Sequence, residues 1–294
     1  MGQRAAKQLR GRTRVLALTS SPEKSASLRA QGITPVLGNL DFPDTLQRLA
    51  GWATRVLHLA PPPTDRAGVW STDPRSLNLV RALKKRSLPS ALVYGSTSGV
   101  YGDCQGNWVT ETQTVKPHTP RALRRVDAEN VVRFLGRSGV RASILRIPGI
   151  YAPDRSNGTP RERLLKGTPV LRQQDDVYSN HIHADDLARA CVAALWRGQA
   201  QRVVNVNDDT QLKMGDYFDA AADIMGLAHP PRVARSQAQE TLPLMLLSFM
   251  SESRRMRNDR LKRELRITLK YPTVHEGLQA LAVASQVQLK TPLA

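Results

Sequence analysis

The stretch Val93-Tyr94-Gly95-Ser96-Thr97-Ser98-Gly99-Val100-Tyr101-Gly102 decides the fold. It begins with β-branched and aromatic residues, as a buried strand does, and ends in small and hydroxyl residues. Such an ending places hydroxyls at the carboxyl end of a strand, where open α/β sheets bind ligands. The same hydroxyls also serve to satisfy backbone groups where a strand gives way to a loop.

Outward from this stretch, short β-branched runs alternate with helical ones. Towards the N-terminus the pattern predicts helices over residues 4–9, 44–49 and 74–85, and strands over 14–18, 33–37 and 55–59. A further helix opens at Ser21-Pro22-Glu23, with Ser21 as N-cap, and closes at Gly32. Asp73-Pro74 repeats the cap-plus-proline signal. Strands over 91–94 and 142–145 flank a long helix over 120–135. After Tyr151 the texture changes to loops rich in Pro, Gly and charge, with a short helix over 161–165. Asp185 or Asp186 caps a helix over 187–196, and residues 203–206 return a strand to the sheet. The remainder is helical, over 214–225, 242–249, 259–265 and 274–281. Strands alternating with helices predict a parallel sheet covered on both faces. The fold class is therefore α/β, a Rossmann-type doubly wound parallel sheet with a small, mainly helical C-terminal lobe. The expected core spans 1–153, with 181–206 returning to it; the lobe comprises 154–180 and 207–294.

Composition narrows the function classes. The 294 residues are long enough for a sizeable core, and no apolar run reaches the roughly 18 residues that span a bilayer. No membrane partner is expected. Cys104 and Cys191 stand far apart with no CxxC spacing, which points to a reducing, cytoplasmic setting. The net charge of +18 raises the question of nucleic acid. Basic residues cluster in 4–14, 121–146 and 254–270, but Phe134 is the only aromatic residue among them, and no series of stacking platforms interleaves there. Weak attraction of anions is the expectation, and nucleic acid is not an expected partner.

Five segments in order carry a family resemblance: residues 55–60, 93–102, 145–153, 180–187 and 258–265. With them the chain resembles the extended short-chain dehydrogenase/reductases, also called the NAD-dependent epimerase/dehydratase family, and especially an atypical branch of it. The resemblance implies NAD(P) as cofactor, a small polar or nucleotide-sugar-like substrate, and a homodimer. It places Thr97 at the position of a catalytic hydroxyl and Ser96 beside it. It sets Pro148, Gly149 and Ile150 against the nicotinamide, and Ala60 and Pro61 at another cofactor-lining strand end. Thr19 and Ser20 fall, with Ser21, at the tip that meets the adenosine ribose; the tip itself holds no acid and Lys24 lies just beyond, so NADP is preferred over NAD. Asn39 and Leu40 fall beside the adenine.

The next family motif fails. A Tyr and a Lys one helical turn apart should open the long helix, yet Arg121 and Arg125 stand there. A guanidinium stays protonated at working pH, so Arg121 cannot pass a proton. Three readings stay open. Another group, Tyr101, Asp103 or Tyr151, replaces the relay; or the protein binds nucleotide without standard redox chemistry, as a silent NAD(P)-sensing module. In that second case Arg121 and Arg125 clamp an anion by bidentate hydrogen bonds. The bland alternative is a solvated helix face, with both arginines paired to Asp127 and Glu129. Arg155, Arg161 and Arg254 are further anion contacts on the same logic. His181, His183, Asp185 and Asp186 look metal-like, but the family carries them as structure and no metal is expected.

The resemblance also implies a strand and a Gly-rich turn ahead of the first helix, with Gly2 as the last glycine of that turn. The expectation is an intact polypeptide longer by roughly 8–15 residues, one strand plus a tight turn. The alternative is direct closure of the strands over 14–18 and 55–59.

Overall fold

In the computed structural model, which describes residues 1–63, 71–155 and 158–280, strands and helices alternate in the predicted order. The chain runs α1 (Gly2–Leu9), β1 (Leu16–Thr19), α2 (Lys24–Ala30), β2 (Thr34–Leu37), a 3-10 segment over Pro43–Leu49, β3 (Arg55–His58) and α3 (Pro74–Leu83). It continues through β4 (Ala91–Thr97), a 3-10 turn over Ser98–Tyr101, β5 (Trp108–Val109), α4 (Pro120–Gly136), β6 (Arg141–Ile147) and β7 (Gly149–Tyr151). Next come α5 (Arg161–Leu165), β8 (Val170–Leu171), β9 (His181–His183), α6 (Ala184–Arg197), β10 (Arg202–Asn205) and α7 (Met214–Met225). β11 (Arg232–Val233), α8 (Arg235–Thr241), α9 (Leu244–Met250), β12 (Arg255–Met256) and α10 (Asp259–Arg263) follow. Residues 274–280 are helical; Leu281, the expected end of that helix, lies outside the described residues.

Local chemistry explains most boundaries. Asp73 accepts the Arg75 N–H at 3.1 Å and Thr119 accepts that of Ala122 at 3.2 Å, each one residue ahead of a helix-opening proline. Two expected caps are corrected. His183, not an aspartate, caps α6, its Nδ1 accepting the Asp185 N–H at 3.2 Å. Asp186 is buried instead and accepts the N–H groups of Lys270 and Tyr271, which pins the chain beyond α10 to the core. Ser21 does not cap α2, because a turn over residues 21–24 precedes the helix. The helix expected over 44–49 is 3-10 rather than α, a form common in pieces this short.

The central sheet has the order β10-β6-β4-β3, all parallel, and β1 pairs in parallel with β2. Consecutive residues of β4 point to opposite faces. Val93 therefore joins Leu145, Leu187, Cys191 and Val204 beneath α6, while Leu92 and Tyr94 join Leu79, Leu83, Val132 and Leu135 beneath α3 and α4. Each such aliphatic side chain taken fully out of water contributes about 1.5–3 kcal/mol. Among the described residues β1 and β3 do not pair, so the sheet stands in two parts and direct closure does not form. Helix α1 spans them. Ala6 packs with Val15, Ala17 and Leu28, while Met1 packs against the cluster around Val93 and Leu145. Every residue of β1 is only half-buried, whereas the apolar residues of β4 are fully buried. Three further parallel pairs of two or three residues, β7 with β9, β8 with β11 and β12 with β5, were not expected from sequence.

Candidate functional site

The register of β4 against β6 sets Thr97 beside Ile147, so the turn Pro148–Gly149–Ile150 follows immediately next to it. Thr97 is half-buried, and its Oγ1 accepts the Gly99 N–H at 3.3 Å. Gly149 is exposed, with Pro148 and Ile150 half-buried, so this turn is open to solvent at the strand ends. A Cβ on Gly149 would sit 3.3 Å from the Asn180 carbonyl oxygen, which makes it a close approach of backbone to backbone.

Ser96 faces the other way. Its hydroxyl donates to Glu129 at 2.7 Å, and Glu129 accepts two bonds from Arg146, at 3.1 and 2.8 Å. Both members of this ion pair are buried. The Arg146 guanidinium lies 4.7 Å from the centre of the Tyr101 ring. Tyr101 is itself buried and donates its hydroxyl to Asn205 Oδ1 at 2.7 Å; burial holds its pKa above the ordinary phenol value. The structure thus places Ser96 and Tyr101 within the framework behind the strand ends.

On α4 the two arginines part company. Arg125 turns inward, its Nη1 donating to the Gly95 carbonyl at 2.7 Å and to the Tyr94 hydroxyl at 3.0 Å. Beside it His58 bonds Ser76 at 2.9 Å, and Ser76 donates to Asp73. Burial, then the charge of Arg125, depresses the His58 pKa to about 3, so this imidazole is neutral; burial pushes Tyr94 up to about 12. Arg121 is exposed, with its guanidinium 4.7 Å from the centre of the Phe249 ring. Desolvation lowers its pKa, Glu252 opposes, and Arg125, Arg254 and Arg124 lower it further. Neither arginine pairs with Asp127 or Glu129. Asp127 accepts the Asp73 N–H at 2.7 Å, and Glu129 belongs to Arg146 and Arg133.

The remaining relay groups are also occupied. Tyr151 is buried, bonds the Thr273 carbonyl at 3.4 Å, and has its pKa raised by burial and then by Asp208. Asp103 Oδ1 accepts the N–H groups of Gln105 and Ser253, at 3.0 and 2.8 Å, and so ties the loop after Gly102 to the segment after α9. Asp208, just past β10, is buried with its carboxyl pushed up to about 8 by that burial. His181 stacks on Tyr217, ring centres 4.1 Å apart, and burial lowers its pKa to about 4.

At the end of β1, Thr19 Oγ1 accepts the Ser21 N–H at 3.2 Å, while Ser20 is exposed. The Asn39 side chain accepts the Asp41 N–H at 2.9 Å, and the Leu40 carbonyl accepts from Asn78 at 2.8 Å. Ala60 is half-buried, and the Pro61 carbonyl accepts from Arg75 at 2.9 Å while Arg75 pairs with Asp41. Gly2 lies in the first turn of α1, whose N–H groups no side chain caps. Thr19 and Ser20 stand at the carboxyl end of β1, Asn39 and Leu40 just beyond that of β2, and Ala60 and Pro61 just beyond that of β3, the last in the same sheet as Thr97. Sequence reasoning missed His58, Phe249 and Glu252, and read Glu129 as a partner of Arg121 and Arg125 rather than of Arg146. The signal for Arg146 was a charge inside the apolar run 144–147, where a charge is rarely buried unless paired.

A family model described as NAD-dependent epimerase/dehydratase matches residues 1–207. A conserved protein of unknown function from Silicibacter pomeroyi superimposes on 97% of this chain and 94% of its own, at 28% identity and a TM-score of 0.74. The UDP-glucose 4-epimerase of Thermotoga maritima, solved with UDP-glucose, covers 98% of this chain and 96% of its own, with 18% identity and a TM-score of 0.77. For the UDP-glucuronic acid 4-epimerase of Bacillus cereus, solved with NAD, the values are 99%, 95%, 17% and 0.73. The likeness to the two epimerases shows the fold alone. No curated protein sequence matches the chain.

Proposed function

Because the chain belongs to the NAD-dependent epimerase/dehydratase family, we propose that it is an NAD(P)-binding oxidoreductase or epimerase relative acting on a small polar, nucleotide-sugar-like substrate. The observation that carries this reading is Thr97 standing beside the open Pro148–Gly149–Ile150 turn at the carboxyl ends of adjacent parallel strands. The residues fit the two ends of a dinucleotide better than its middle. Thr97 with Pro148, Gly149 and Ile150 would border the nicotinamide; Ser20, Asn39 and Leu40 would border the adenosine. Between them the uncapped first-turn N–H groups of α1, at Gly2, favour an anion such as a pyrophosphate. The strand tip Thr19–Ser20–Ser21 carries hydroxyls and no acid, which supports NADP over NAD.

The nicotinamide, when bound, supplies hydride exchange. The Thr97 hydroxyl would hydrogen-bond a substrate oxygen as charge develops there. Arg125 holds the end of β4 in place through Gly95 and Tyr94. The same contacts favour a second reading, a silent NAD(P)-binding sensor, since the group at the Lys position is committed to the framework. In either case residues 1–153 with 181–206 form the cofactor half, and 154–180 with 207–294 shape the substrate side. A homodimer in the cytoplasm completes the proposal.

Turnover separates the two readings. The chain and its Arg121→Tyr, Arg125→Lys double variant are each incubated with NADP or NAD and UDP-glucose, and sugar isomers and reduced cofactor are quantified. Turnover by the unaltered chain supports the enzyme. Turnover by the double variant alone, with cofactor bound by both, supports the sensor. Failure of both chains to bind either cofactor overturns the proposal.

A further inference from the structure

We infer that Arg121 and Arg254 form an anion subsite beside Thr97, so that the substrate carries a carboxylate or phosphate near its reacting end. This rests on the proposed reading that the strand-end cleft is the substrate site, and it names the substrate class. The clamp expected from sequence joined Arg121 to Arg125, but Arg125 is turned into the framework. A different partner stands in its place. Arg254, on the segment that follows α9, is nearly buried and is fixed by the Gly102 carbonyl at 2.7 Å and Glu252 at 2.8 Å. Its Nε is buried without a hydrogen-bond partner among the described residues, as is the Nε of Arg124.

The charges of Arg124, Arg125 and Arg254 all act on Arg121, and Glu252, the one carboxylate acting on it, already pairs with Arg254. Among the described residues no carboxylate lies within 4.0 Å of Arg121. Phe249 supports its guanidinium from one face, and stacking of that kind leaves the N–H edge free to grip a planar or tetrahedral oxyanion. Location ties the subsite to chemistry. A Cβ built on Gly99 would lie 3.7 Å from Thr97 Oγ1 and 3.9 Å from the Ala122 Cβ, and Arg254 bonds Gly102, so the turn that begins at Thr97 meets both arginine-bearing segments. An anion bridging Arg121 and Arg254 would relieve the mutual repulsion of the arginines and hold the attached substrate against Thr97.

The test is a ligand-observed NMR titration of the full chain at fixed ionic strength with glucose, glucuronate and glucose 6-phosphate. The expected result is that one or both anionic sugars bind at least tenfold tighter than glucose, and their ranking tells carboxylate from phosphate. Arg121→Gln should erase the advantage, and Arg121→Lys should keep part of it. Equal affinities for the three sugars, no binding of any, or an advantage unchanged in Arg121→Gln would overturn the inference. NADPH is titrated in parallel. If NADPH does not bind while the anion advantage persists and depends on Arg121, the cofactor reading fails and the subsite stands.

Discussion

Replacing Asp208 by Asn tests at a single residue how strongly burial sets charge in this molecule. An Asp in the unfolded chain ionises near pH 3.9, whereas the native carboxyl holds its proton to about 8. Between those values the native state binds a proton that the unfolded state has released, so stability falls as pH rises through the window. Asp208→Asn keeps a neutral side chain and removes that proton. Its urea midpoint relative to the unaltered chain should therefore rise between pH 5 and pH 8; a difference constant with pH would contradict the burial argument. At this scale the sequence showed which residues are present but not where they point. The replacement of Tyr and Lys by Arg121 and Arg125 was legible from the motif. That Arg125 reaches back to Gly95 and Tyr94 while Arg121 rests on Phe249 was not, because Phe249 comes from a distant part of the chain. Ser96 and Tyr101 looked like cleft residues for a similar reason. Alternation along a strand tells which residues share a face, and only the packing of α4 against β4 told which face meets Glu129.

Elements were read more reliably than side chains, since they depend on local periodicity and punctuation. Asp73-Pro74 and Thr119-Pro120 start their helices as the cap chemistry requires, and α7 has the bounds expected. The paired short strands β5 with β12 and β8 with β11 are two residues each, too brief to leave a period. They matter nonetheless, because the first of them anchors the segment that carries Arg254 to the loop after Gly102. Gly102 has φ +68°, and a Cβ there would lie 2.1 Å from the Lys116 carbonyl oxygen. Gly102→Ala therefore meets both a strained backbone and a clash, and should lose more than about 1 kcal/mol in urea unfolding. Because the Gly102 carbonyl also accepts from Arg254, the substitution should weaken the anion advantage as well. An unchanged midpoint would contradict this account of the turn.

Across the whole molecule, the strands of the α/β framework run parallel within each part, so the carboxyl ends of β3, β4 and β6 share one edge and those of β1 and β2 another. The alternation of strands and helices made that framework legible, and the family match over residues 1–207 agrees with it. The division of the sheet into β1-β2 and β10-β6-β4-β3 parts leaves β1 half-buried, while α1 packs against both parts. Some arginines are drawn into structure, as with Arg146 on Glu129 and Arg75 on Asp41, which composition alone could not reveal; the net +18 is the excess that such pairs leave over. The central claim is that the carboxyl strand ends bind a nicotinamide dinucleotide although the Tyr–Lys pair is replaced. Calorimetric titration of the full chain with NADPH and with NADH measures this directly. Saturable one-to-one binding, tighter for NADPH, is the predicted result; no heat of binding with either nucleotide, from a chain shown to be folded, would contradict it.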